Sequence, residues 1–231
     1  MTARPGVATL VALTFVLAVG CGGGDEGSSA TELVRQSAER TGEVQSFHFA
    51  LDVQNVPASG AGLQLTGAEG DVAVPDRASA DVTGTFAGVP ISTQVIAIGD
   101  DVWLKDPLSG DWRAVDVSTT PVALLSPSKG VLAVMGGLTE ATDEGSEDVD
   151  GTVLVRVSGT VSAADVAPLV AVSPSDGEVP VTLWIGEDDL ILRRIEVRGA
   201  VADGEPEDAV RTVDLSRFDE PVTVEPPEGS G

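Results

Sequence analysis

Cys21 is the only thiol in this 231-residue chain and His48 the only imidazole. Those two side chains, with 37 acidic groups against 13 basic ones, bound the chemistry available. His48 lies between Phe47 and Phe49 in an alternating stretch, so it points away from both and toward solvent, with no second base to serve as a catalytic partner. No Gly-x-Ser-x-Gly elbow supplies a hydrolase nucleophile. One His and one Cys fall short of a zinc ligand set. Asp143, Glu144, Glu147, Asp148 and Asp150 gather carboxylates, but an EF-hand loop needs Gly at its sixth position, and Asp148 stands there. Glu140 to Asp150 reads as an acidic loop or strand pair, and against a calcium site a solvated acidic loop is the expectation for that cluster. Neither a P-loop nor a dinucleotide fingerprint occurs. The expectation is no enzyme, no metal and no cofactor.

What precedes Cys21 gives the thiol its role. Arg4 is followed by the uncharged run Val7 to Val19, then Gly20 and Cys21. A basic start, a short apolar run and a small-residue exit describe a secretory signal over residues 1–20. The run is shorter than the roughly 20 apolar residues of a membrane span. Leu17-Ala18-Val19-Gly20-Cys21 is similar to a bacterial lipobox, except that Ala18 stands where Leu is usual. That resemblance implies a diacylglyceryl thioether on Cys21, which becomes the new N-terminus. Two acyl chains hold a protein on a membrane where one does so only marginally. Gly22-Gly23-Gly24-Asp25-Glu26-Gly27-Ser28-Ser29 then reads as a hydrated tether, residues 21–30. The expected location is extracytoplasmic, on the outer face of the cell membrane.

Without residues 1–20 the chain keeps 211 residues and a net charge of -25. That acidity argues against nucleic acid and anionic headgroups as partners of the surface, and serves solubility. With 42% apolar residues a sizeable core is expected, held without a disulfide. Aromatics are few and Tyr is absent, so Val, Leu, Ile and Ala must fill the interior.

The elements follow from periodicity. Thr31 to Thr41 carries Leu33, Val34 and Ala38 at helical spacing, with Ser29 or Thr31 as cap and Gly42 as stop. Ser46 to Val53 alternates with Phe47, Phe49, Leu51 and Val53 on one face. Further strands are expected over Leu63–Val74, Ala78–Phe86, Ile91–Ile98 and Val102–Lys105, with Gly99-Asp100-Asp101 as a hairpin turn. Thr120 to Leu138 loses the alternation. Short helices from Pro121 and from Pro127, the second capped by Ser126, fit there, and their apolar side must be covered. Strands resume over Thr152–Val161, Val179–Ile185, Leu190–Gly199 and Ala209–Leu215, with a helix from Ala163 to Val172 capped by Ser162. Residues 31–226 form one domain and 227–231 a loose end.

Strands in a row with few helices favour an α+β fold: one curved antiparallel sheet, a half-barrel, with helices packed in its concave face. A sheet of eight or more strands tends to curl. Curled around apolar helices, it encloses a hydrophobic space, and pattern alone leaves open whether side chains fill it.

The order of features then resembles a family: lipobox, helix, Ser46-Phe47-His48-Phe49, Asp101-Val102-Trp103-Leu104-Lys105-Asp106-Pro107 with Trp112, Leu124-Leu125-Ser126-Pro127-Ser128-Lys129-Gly130-Val131, Val149-Asp150-Gly151, Leu183-Trp184-Ile185 and Pro221-Val222. It is similar to the actinobacterial LppX/LprAFG lipoproteins over most of Cys21 to Pro226. The resemblance implies a half-barrel like the periplasmic lipoprotein carriers, with an apolar cavity for acyl chains of a glycolipid or other complex lipid. It further implies that the lipid is carried or presented across the envelope. This chain is more acidic and poorer in aromatics than that pattern suggests. Candidate wall residues are Phe49, Leu51, Ile91, Val95, Leu104, Leu124, Leu125, Val131, Leu132, Met135 and Leu169. Core packing demands the same chemistry of each. The expected partners are an acylated lipid, the membrane through Cys21 and an envelope transporter; a monomer is expected. The alternative is a non-catalytic structural or regulatory envelope domain, with a filled core, that binds another protein.

Overall fold

A computed structural model describes residues 25–56, 63–115, 130–170 and 175–228, with the side chains of 25, 26, 28, 63 and 168–170 outside that description. Helix α1 (Asp25–Gly42) leads into β1 (Ser46–Gln54), β2 (Leu63–Ala73), β3 (Arg77–Phe86), β4 (Val89–Ile98), β5 (Asp101–Lys105) and β6 (Trp112–Val115). Helix α2 (Val131–Gly137) opens the second half, followed by β7 (Thr139–Val149), β8 (Thr152–Ser162), α3 (Ala163–Val170), β9 (Glu178–Gly186), β10 (Leu192–Arg198) and β11 (Val210–Ser216).

All eleven strands join one antiparallel sheet in the order β6-β5-β4-β3-β2-β1-β11-β10-β9-β8-β7. It is two meanders sewn together where β1 meets β11, with Phe49 opposite Leu215 and Leu51 opposite Val213. Alternation sets the faces. Phe47, Phe49 and Leu51 are buried on the inner, helix-bearing face, while His48 and Asp52 lie on the outer one. Phe49 also stands opposite Gly70. A Cβ on Gly70 would lie 2.1 Å from the Ser79 carbonyl oxygen, so only glycine lets β2 and β3 approach this closely.

Three boundaries differ from expectation. The α1 helix begins at Asp25, so Asp25–Ala30, read from sequence as tether, form its first turns. The physical reason is tertiary: Ala30 is buried in the core, and the Thr31 hydroxyl donates to the Gly27 carbonyl. The acidic stretch, expected over Glu140 to Asp150 as a loop or strand pair, is strand β7 and begins already at Thr139. Its carboxylates are occupied at home. Glu147 accepts from the Trp184 indole, Glu144 from the Ser158 hydroxyl at 2.6 Å, and Asp148 from the Gly151 N–H at 2.9 Å. Finally, the C-terminal segment lies on the domain through buried Val224 and Pro227, one residue past the expected end of order, and Arg77 donates to the Val224 carbonyl at 2.9 Å. Ser162 caps α3 as expected, accepting from the Ala164 N–H at 3.2 Å. The expected helix from Pro121, and the Ser126-Pro127 start of the next, lie outside the described residues.

Candidate functional site

Cross-strand register turns the inner face into rows of facing side chains. One row runs Val157, Leu183, Ile195, Val213, Leu51, Ala68, Val82, Thr93, from β8 to β4. Its β8–β11 end is built from branched residues, of which Val157, Leu183 and Ile195 are fully buried. Its other end tapers to Ala, Val and Thr. The adjacent row, Phe49, Gly70, Ala80, Val95, Leu104, is smallest in its middle and grows again toward β5. The next, Phe47, Val72, Ala78, Ala97, Val102, has its smallest members on β3 and β4. Over β2 to β4 the inner face thus sets Ala68, Gly70, Ala78, Ala80, Gly84 and Ala97 among valines.

The described helices lean on the opposite half. Their main contacts fall on β7, β8 and β10. Thr41, at the end of α1, accepts the Leu192 N–H at 3.0 Å and fixes the helix to the start of β10. Where the strands β3 and β4 meet their hairpin turn, inner-face Phe86 and Val89 are 54% and 62% exposed. Ala68, Ala78, Ala80 and Ala97 are themselves almost fully buried, so this part of the face is covered, and it opens only at its Phe86–Val89 end.

The candidate wall residues divide as follows. Phe49, Leu51, Val95, Val131 and Met135 are buried in the main apolar cluster, the first three from the sheet and the last two from α2. Ile91, Leu104 and Leu132 are half-buried. Leu104 faces Val95, and Ile91 shares the Val95 face two pairs further along β4. Leu132 reaches toward α1 at Gly42, where an added Cβ would lie 3.5 Å from its Cδ1. Leu169 belongs to α3, with its side chain outside the description; Cys21, Leu124 and Leu125 also lie outside the described residues. The small residues of β2–β4 and the pair Phe86 and Val89 escaped the sequence reading, which searched for large buried hydrophobes. The alternating Ala and Gly of Ala78-Ser79-Ala80 and Gly67-Ala68-Glu69-Gly70 was the available signal.

The outer face has the opposite chemistry. A groove of about 450 Å³ there is lined by His48, Asp71, Asp81, Gln94, Trp112 and Arg217, among others. His48 Nδ1 lies 2.9 Å from Asp71, which also pairs with Arg217 at 3.2 Å. Gln94 donates to Asp81 at 3.0 Å and accepts from Lys105 at 3.0 Å. Acyl chains placed there would strip water from charged groups at high cost. Only the inner face suits an apolar ligand.

With the sheet and its two faces defined, comparison with known proteins becomes specific. The model of the LppX_LprAFG lipoprotein family matches residues 29–224. This chain belongs to that family. The lipoarabinomannan carrier protein LprG of Mycolicibacterium smegmatis is 32% identical over 200 residues, 81% of this chain and 83% of the relative. The crystal structure of LprF from Mycobacterium bovis aligns with a TM-score of 0.68 at 23% identity, over 88% of this chain and 98% of that one. Lipoprotein LppX of Mycobacterium tuberculosis aligns at 0.61 and 25% identity, over 86% and 99%. The half-barrel architecture is therefore that of the LppX_LprAFG lipoproteins. No described helix is long and apolar enough to cross a membrane.

Proposed function

We propose that this LppX_LprAFG lipoprotein is a non-catalytic carrier that holds the acyl chains of a glycolipid or related complex lipid on the inner face of β2–β5. The observation that carries the reading is the carpet of small residues on that face, ending in exposed Phe86 and Val89. Burying a chain there gains about 0.8 kcal/mol per methylene, so affinity needs a long dry wall and no particular side chain. Phe49, Leu51, Ile91, Val95 and Leu104 supply that wall from the sheet, and Val131, Leu132 and Met135 from α2. Met135 adapts to chains of differing length. The relative named as a lipoarabinomannan carrier supports a glycolipid as cargo. A diacylglyceryl group on Cys21 would keep the domain on the outer face of the cell membrane, where a transporter could supply the lipid.

The test is native mass spectrometry of the mature protein purified from its host. Co-purified acyl lipid, displaced in a Leu132→Trp variant whose thermal unfolding is unchanged, is the expected result. A protein that arrives without lipid and takes none up from vesicles would point instead to a filled core that binds another protein.

A further inference from the structure

The four large apolar side chains that are exposed among the described residues are not scattered. Val153, 40% exposed, sits near the start of β8. Phe86, Val89 and Leu108, at 54%, 62% and 97%, sit at the opposite end of the sheet. Antiparallel order fixes this: β3 ends at Phe86, β4 begins at Val89, and Leu108 belongs to the turn between β5 and β6 at the same end.

Both tips are built rather than slack. One oxygen of Asp106 accepts the N–H groups of Leu108 at 2.9 Å and Ser109 at 3.0 Å, and the other takes Arg113 at 2.6 Å. The Ser109 and Leu108 N–H groups hold the Asp106 carboxyl below the usual carboxylate range. The Phe86–Val89 tip turns through Ala87 and Gly88 with φ of 48° and 79°, the left-handed pair of a tight two-residue hairpin. A leucine fixed in water by these three contacts to Asp106 is preorganised for something apolar.

The start of α1 lies at that same end. Gly27 packs near the Ala141 carbonyl oxygen, 3.7 Å from where a Cβ would stand, two residues into β7. The far end of α1 is tied to Leu192 at the other end of the sheet. Asp25 is four residue steps from Cys21, a reach of at most about 14 Å. If acylated as proposed above, Cys21 therefore delivers its lipid to the end that carries the three exposed side chains.

We propose that this end of the sheet is the membrane-docking face, with Leu108, Phe86 and Val89 entering the headgroup and acyl boundary of a zwitterionic bilayer. Phe86 and Val89 also belong to the inner face, so they join the wall proposed for acyl chains to the bilayer without an aqueous gap. The net charge of -25 from Cys21 onward means that apolar contact and not attraction to anionic lipid drives the docking. The docking face rests on acylation of Cys21, and its coupling to lipid transfer rests also on the carrier reading above.

The experiment uses the mature acylated protein in phosphatidylcholine vesicles. Acylation occupies Cys21, so Leu108→Cys, Val89→Cys and Val153→Cys each carry one free thiol for a nitrobenzoxadiazole label. Brominated phosphatidylcholine should quench the labels at 108 and 89 several-fold more than the label at 153. Protein that floats with the vesicles while the label at 108 stays unquenched overturns the docking face and leaves the carrier reading standing. Protein that fails to float overturns the anchor and the docking face together. As a second measurement, Leu108→Asp with Val89→Asp should slow transfer of bound acyl lipid to vesicles about tenfold at unchanged thermal stability; an unchanged rate counts against the proposal.

Discussion

Two halves of one sheet face carry the same alternation and do different work. On β8–β11, inner-face Val157, Leu183, Ile195 and Val197 are large and shut away beneath helices that press on β7, β8 and β10. On β2–β4 the corresponding positions are Ala68, Ala78, Ala80 and Ala97, and the row ends at half-buried Ile91 and Leu104. The lesson is that burial pattern identifies the face, whereas side-chain size along a cross-strand row identifies where the protein fills its own interior. On the carrier reading proposed above, an acyl chain would take the volume over these alanines that branched side chains take in the other half.

The sharpest break of that comparison uses one residue type in both halves. Ile195→Ala, in the helix-backed half, should lower unfolding free energy by about 3 to 5 kcal/mol, since the surroundings cannot collapse into the cavity. Ile91→Ala, in the half on which the described helices do not press, should cost about 1 kcal/mol. Denaturant titration of both variants checks the difference. Equal losses would mean that the two halves are packed alike and that the proposed acyl site is ordinary core.

A smaller effect sharpens the same contrast from the other direction. Ala80→Phe adds a ring to the carpet opposite Val95 and Gly70. In a filled core such overpacking costs about 1 to 3 kcal/mol. In an open half it should leave stability within about 1 kcal/mol and instead reduce uptake of an acyl lipid about tenfold, which corresponds to about 1.4 kcal/mol of binding. Fluorescent fatty-acid displacement beside thermal unfolding separates the two outcomes.

Much of this architecture was legible in advance, for reasons that also explain what was not. β1 could be placed because Phe47, Phe49 and Leu51 alternate with His48 and Asp52, and its burial repeats that alternation. The β4–β5 hairpin could be placed because Gly99 takes the positive φ, 60°, that its turn requires. Strand β7 was readable only as a loop or a strand pair, because an edge strand exposed along almost its whole length shows no alternation, and its acidic composition imitates a loop. The pairing of β1 with β11 was equally hidden, since periodicity assigns a face and says nothing of a partner some 160 residues away. The start of α1 was obscured by Gly and Ser, whose weak propensity is overridden once Ala30 finds a place in the core. At the site, Phe49, Leu51, Val95, Val131 and Met135 were readable as apolar and are buried. The Ala and Gly that face them across the sheet were missed, because they carry little hydrophobic signal.

The smallest predicted effect concerns the one flaw in the helix-backed half. Ser37 lies on the same side of α1 as Ala30, Val34 and Thr41, fully buried, and its hydroxyl lacks a hydrogen-bond partner. A buried unsatisfied hydroxyl costs about 1 to 3 kcal/mol, and alanine is the better helix former. Part of that cost is recovered when the oxygen goes, and part is lost to the space it leaves. Ser37→Ala should therefore raise stability by up to about 1 kcal/mol, measured as a higher denaturant midpoint at unchanged slope. A fall would mean that the hydroxyl is satisfied in solution, by water or by a polar group of a bound lipid. The boundary between the filled half and the ligand half would then run along α1 instead of between β1 and β2.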